Sequence, residues 1–104
     1  MANKSTNENI VTGKTSSGIQ FTLDKRIKDD ARLLFWLSRI QDESLDVMAR
    51  NKALFSLLGL IFGSDEGLNT FLNEVAAKHE GVADISSLMD ELNEMFEALA
   101  IKNS

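Results

Sequence analysis

The chain reads as an α+β fold, mainly α: a small N-terminal β-hairpin followed by about four amphipathic helices in a compact helical bundle. Three observations predict this. Apolar residues after Leu23 recur at helical spacing, whereas Ile19, Phe21 and Leu23 alternate with Gln20 and Thr22 at the period of a half-buried strand. The 104 residues contain no proline, so nothing forces a break inside any of these segments. That length suits one domain, expected over residues 9–104, with the hairpin in 9–23 and the helical part in 28–102. Residues 1–8 are rich in Asn, Ser, Thr and Lys and have nothing to bury, which predicts a disordered leader.

The hairpin is expected from Ile10 and Val11, a Gly13–Gly18 stretch that would form the loop, and the alternating run that follows. A lone hairpin is marginal in water, so this one must lie on helices or pair with another subunit. Helix one is expected from Lys28 to Gln41, with Leu33, Leu34, Leu37 and Ile40 as its stripe and Phe35 and Trp36 on a second flank. Asp42–Ser44 breaks the pattern and offers Asp42 or Ser44 as a cap. Helix two, from Leu45 to Phe62, would bury Val47, Met48, Leu54, Phe55, Leu58, Ile61 and Phe62. Leu57 and Leu60 widen that face until little polar surface remains, the mark of a helix central in its fold or covered by a partner.

Gly63 is placed to stop helix two, and Ser64 or Asp65 to cap helix three, which runs to His79 on the stripe Leu68, Phe71, Leu72, Val75 and Ala76. Helix four, from Asp84 to Ile101, carries Ile85, Leu88, Met89, Leu92, Phe96 and Leu99.

Eleven basic against sixteen acidic residues give a net charge of −5, a sign that opposes binding to phosphate backbones and anionic membranes. With no cysteine there is no disulfide framework. The densest apolar run, Ala53 to Phe62, is too short for a bilayer span and is interrupted by Ser56 and Gly59. A cytoplasmic protein without cofactor or metal is expected.

Few residues invite a chemical role. Gly13-Lys14-Thr15 resembles the end of a phosphate-binding loop, but the glycine required five positions upstream is Glu8, and a strand follows where a helix should. His79 has no second His or Cys to share a metal, and reads as a surface histidine favoured by a helix C-terminus. Asp84, Asp90, Glu91, Glu94 and Glu97 are expected on a solvated face opposite Leu88, Leu92 and Phe96. Lys25, Arg26, Lys28 and Arg32 form a basic cluster in which Asp29 and Asp30 are interspersed, so local charge pairing is expected. No nucleophile–base pair points to an enzyme. The remaining chemistry is apolar, with methionines and phenylalanines that could line an adaptable binding surface.

In the order of its parts the chain resembles the tail assembly chaperones of long-tailed bacteriophages. The resemblance covers roughly residues 11–104. It is carried by the VTGKTSSGIQFTLD hairpin, the Asp29–Leu37 helix start, Leu57-Leu58-Gly59 with Asp65 to Leu68, and the Met89–Leu99 helix. Arg32 and Arg39 depart from the more acidic first helix of that family. The resemblance implies a non-enzymatic helper in the infected host cytoplasm that binds the helical tape measure protein, keeps it soluble and is absent from the finished virion. A longer form made by ribosomal frameshifting near Lys102-Asn103 would extend its reach to the tail tube protein. Self-association into a homo-oligomer is expected, through hairpin edges or helix two. The client surface is expected on helices two and four, with Leu57, Leu60, Met89, Met95 and Phe96 as its residues. The competing reading is a small helical DNA-binding regulator, which needs a basic recognition face.

Overall fold

The computed structural model describes residues 9–100, and the expectations for the leader at 1–8 and for the chain end beyond Ala100 lie outside them. Strands β1 (Ile10–Lys14) and β2 (Gln20–Asp24) pair antiparallel, with Val11 opposite Leu23 and Gly13 opposite Phe21. The turn is tighter than the 13–18 loop the glycines suggest. Gly13 and Lys14 belong to β1, and the reversal occupies Thr15 to Gly18. The Gly18 N–H donates to the Thr15 carbonyl at 2.9 Å, and Gly18 adopts φ 99°, a conformation that costs a glycine little. The Thr15 hydroxyl accepts from the Ile19 N–H at 3.1 Å, so this buried side chain completes the turn.

A 3-10 turn at Lys25–Asp29 links the hairpin to helix α1 (Ala31–Ile40). This corrects the expected helix start at Lys28: the Asp30 carboxylate caps α1 by accepting from the Arg32 N–H, and Asp24 likewise caps the 3-10 turn. Helices α2 (Val47–Phe62), α3 (Asp65–Lys78) and α4 (Ile85–Ala98) follow. Asp46, not Asp42 or Ser44, caps α2; Asp42 instead folds back on the N–H and hydroxyl of Ser44. Ser64 caps α3, and Gly63 ends α2 in the left-handed conformation at φ 75°.

Helix α3 closes with the Gly81 N–H donating to the Ala76 carbonyl at 2.7 Å, which leaves Glu80, an L-residue, at φ 61°. Together the elements form the α+β, mainly α fold, with four helices beside a two-stranded N-terminal hairpin. None of the helices among the described residues is long and apolar enough to cross a membrane.

The core joins every element. Ile19, Phe21 and Leu23 point from the hairpin onto Leu33, Leu37 and Ile40 of α1, Leu54, Leu57 and Leu58 of α2, Phe71 and Val75 of α3, and Leu88, Leu92, Met95 and Phe96 of α4. The Phe62 and Phe71 rings stack at 4.7 Å, which ties the end of α2 to α3. The hairpin is thus held by helices of its own chain, which removes the marginality of an isolated one.

Burial departs from the expected stripes at particular positions. Leu34 and Phe35 of α1, and Val47, Met48 and Phe55 of α2, are exposed, whereas Leu57 is fully enclosed. Helix α2 is packed most heavily along α1, and Val47, Met48 and Phe55 lie outside the faces its neighbours cover, so these residues that its periodicity assigns to the core are wet.

Candidate functional site

Two constellations stand apart from the ordinary core: an apolar groove between three helix ends, and a polar clamp that fixes the hairpin to α4.

The groove lies where the C-terminus of α1 meets the first turns of α2 and α4. Ile40, Val47, Leu54, Ile85 and Met89 supply apolar walls, Arg50 and Asn51 the polar rim, and the space they enclose is about 230 Å³. Arg50 does not project freely. Its Nε donates to the Ile40 carbonyl at 3.0 Å, satisfying a helix-end acceptor and fixing one side of the groove. Val47 is 70% exposed and its neighbour Met48 73%, values unusual for large apolar side chains beside a core. Asp46 and Asp84, the caps of α2 and α4, sit next to Val47 and Ile85, so the apolar mouth is bordered by negative charge. A hydrogen-bonding group of Ser87 on the Asp84 carboxyl holds its pKa below the ordinary value of 3.8 and keeps that charge in place.

Of the five residues that the sequence nominates for client binding, the structure places Met89 in this groove. Leu60 is half-buried in the second half of α2, packed against the core. Leu57, Met95 and Phe96 are 0%, 0% and 1% exposed, which corrects their expected place on a surface: they are core side chains that nothing outside the folded chain can touch. The apolar breadth of α2 is covered from within by its neighbours, so the wide face marks a central helix. Val47, Met48 and Ile85 were missed as surface residues because periodicity shows which residues share a face, not where the covering helix stops.

The clamp is built on Glu91 and Glu94 of α4. Glu94 accepts from both the N–H and the hydroxyl of Ser16, each at 2.7 Å. Glu91 accepts a hydrogen bond from the Ser17 hydroxyl and pairs with His79 Nε2 at 2.9 Å. This corrects two expectations. Glu91 is 2% exposed rather than solvated, and His79, the C-cap of α3, has a carboxylate partner. The sequence did carry the signal: Glu91 stands three residues after Leu88 and four before Met95, on the core stripe itself.

Burial pushes the Glu91 carboxyl up, but hydrogen bonds from Ser17, His79 and Thr15 outweigh it and hold the group below its ordinary value of 4.5. Its Oε1 is buried and accepts no hydrogen bond from the described residues. The carboxylate stands between serine and histidine, so the Ser17 proton is engaged by Glu91 rather than offered to the imidazole. That order fastens a turn; a nucleophile relay places the imidazole in the middle.

The basic cluster at the strand-to-helix junction pairs as expected. Arg26 grips Asp24 and Arg32 grips Asp30 through two side-chain contacts or more each, at 2.5–3.2 Å. The Arg26 guanidinium and N–H hold the Asp24 carboxyl down to about 2. Two of the four cations are therefore already neutralised locally, which weakens this cluster as a recognition face for DNA. Gly13 and Lys14 lie in a strand, which removes the phosphate-loop reading. Among the described residues, no three His, Cys, Asp or Glu side chains gather in a way that could hold a metal ion.

Comparisons with family models, with curated proteins and with solved structures find no match to this chain.

Proposed function

We propose that this chain is a protein-binding helper that receives an apolar stripe of an amphipathic client helix in the groove between α1, α2 and α4. The observation that carries the reading is the pairing of an apolar pocket with exposed Val47 and Ile85 at its mouth. A helix presenting Leu, Met or Phe at i, i+3 and i+4 would bury those residues against Val47, Ile85 and Met89, while Asp46 and Asp84 would favour basic neighbours on the client. Helix-in-groove binding uses the adaptable methionine surface and needs no catalytic group.

Joined to the hairpin and helix patterns that resemble tail assembly chaperones, this mode of binding makes a phage tape measure protein the proposed client. Such a protein is long and helical, and its uncovered apolar stripes would aggregate; a groove that masks them keeps it soluble until the tail tube forms around it. The test is co-expression with the protein encoded immediately downstream of this chain, the proposed place of the client, followed by size-exclusion chromatography with light scattering. The client becoming soluble and co-eluting at a fixed ratio is the expected result. A client equally insoluble with and without this chain overturns the proposal.

A further inference from the structure

The outer edge of β2 carries backbone groups that β1 does not pair. Thr15 and Ile19 are joined by a backbone hydrogen bond of 2.9 Å at one end of the ladder, and Lys25 and Asn9 by one of 2.7 Å at the other. Antiparallel pairs alternate between bonded and non-bonded, so Gly13–Phe21 and Val11–Leu23 are the bonded pairs between them. Gln20 and Thr22 therefore turn their N–H and C=O groups away from β1, and no hydrogen bond from elsewhere in the described residues reaches them. Both residues are exposed.

Those two residues line one side of a cleft of about 440 Å³ whose other side is α3 between Glu66 and Glu74. Phe62, Gly67 and Phe71 form its floor, and Glu66 and Glu74 stand on its far rim. At Gly67 the start of α3 comes close to the end of α2, where a Cβ would lie 3.1 Å from the Phe62 carbonyl oxygen. The site thus offers unpaired strand backbone, an apolar floor and an acidic wall within one opening.

We infer that the β2 edge and α3 form a β-addition site for an extended peptide segment of a partner protein, one that alternates apolar with basic side chains. Backbone groups of the segment would pair with Gln20 and Thr22, its apolar side chains would reach Phe62 and Phe71, and its Lys or Arg would meet Glu66 and Glu74. The inference is independent of the helix groove, which lies among other elements.

Hydrogen exchange followed by NMR on the full chain tests it. The probes are a seven-residue peptide alternating Val and Lys and a matched peptide alternating Val and Glu. The lysine peptide should slow exchange at the Gln20 and Thr22 amides at least tenfold and bind at least tenfold tighter than the glutamate peptide. The double variant Glu66→Lys, Glu74→Lys, altered only at exposed helix positions, should abolish that preference. Thr22→Pro should eliminate binding while Phe21 and Leu23 amides stay protected, because the lost N–H points outward. If that variant unfolds, a lysine peptide N-methylated at alternate residues serves on the unaltered chain, and its failure to bind gives the same support. Protection at Ile10, Thr12 and Lys14 instead, equal affinity for both peptides, or protection that grows with protein concentration and without peptide would overturn the inference. The last outcome would assign the edge to a second copy of the chain.

Discussion

Glu91 connects three elements through one carboxylate, so its removal should be felt across the hairpin, α3 and α4. Glu91→Ala leaves Ser17 and His79 without their acceptor and opens a void beside Thr15, and should cost about 2–4 kcal/mol in urea unfolding. Its pH signature follows from the lowered carboxyl. A group whose folded pKa lies below its unfolded value stabilises fully above the unfolded value and loses that contribution as pH falls through the folded one. Stability should therefore be level above about pH 5 and decline below 4.5, the ordinary value for Glu91, with Asp24, Asp30, Asp42 and Asp84 adding to the decline in the same direction. Glu91→Gln should shallow this acid limb relative to the unaltered chain, measured as unfolding midpoints between pH 3 and 7. Gly13 is the other residue with a sharp demand. A Cβ there would approach Phe21 Cζ to 2.7 Å, so the buried Phe21 ring would have to shift from its place against the helices. Gly13→Ala should cost about 1–3 kcal/mol, and an unchanged thermal midpoint would show that the ring yields freely.

Helix ends account for most of what local sequence determines in the elements. Asp30, Asp46, Ser64 and Asp84 each accept a backbone N–H of the turn they open, and Gly63 and Gly81 close theirs. The α3 ending is suboptimal because Glu80 holds φ 61°, where an L-residue is strained. Glu80→Gly should raise stability by about 0.5–1 kcal/mol, read as a higher melting temperature; a lower one would mean that the Glu80 side chain contributes more than its backbone costs. Such signals were legible. The strand alternation at Ile19, Phe21 and Leu23 and the stripes of α3 and α4 gave element type and most of the buried face, with Ile85 at the open start of α4 and Glu91 within its core stripe as the exceptions. Helix α2 was not legible in this way. Apolar nearly all round, it leaves to its neighbours the choice of which residues stay wet, so Val47 and Met48 emerged exposed and Leu57 enclosed. Leu57→Glu should accordingly abolish helical circular dichroism, since no solvent reaches the introduced charge.

At the scale of the whole molecule, the hairpin and the four helices form one core with two proposed binding edges, the helix groove and the β2 cleft. The fold class could be reached from periodicity alone, but neither edge could. Both are made by residues far apart in sequence, Ile40 with Val47 and Ile85 in one, Thr22 with Phe71 and Glu74 in the other. Of the nominated binding residues Met89 alone lines the groove, because apolar character distinguishes core from docking surface only after packing is known. The proposed central role, capture of a client helix in the groove, is tested most directly by the double variant Val47→Glu, Ile85→Glu. Both side chains are exposed, so the variant should keep the circular dichroism and melting temperature of the unaltered chain. Loss of two apolar contacts of about 1.5 kcal/mol or more each should weaken client binding at least a hundredfold and end co-elution with the tape measure protein. Co-elution that survives in a fully folded double variant would contradict the account.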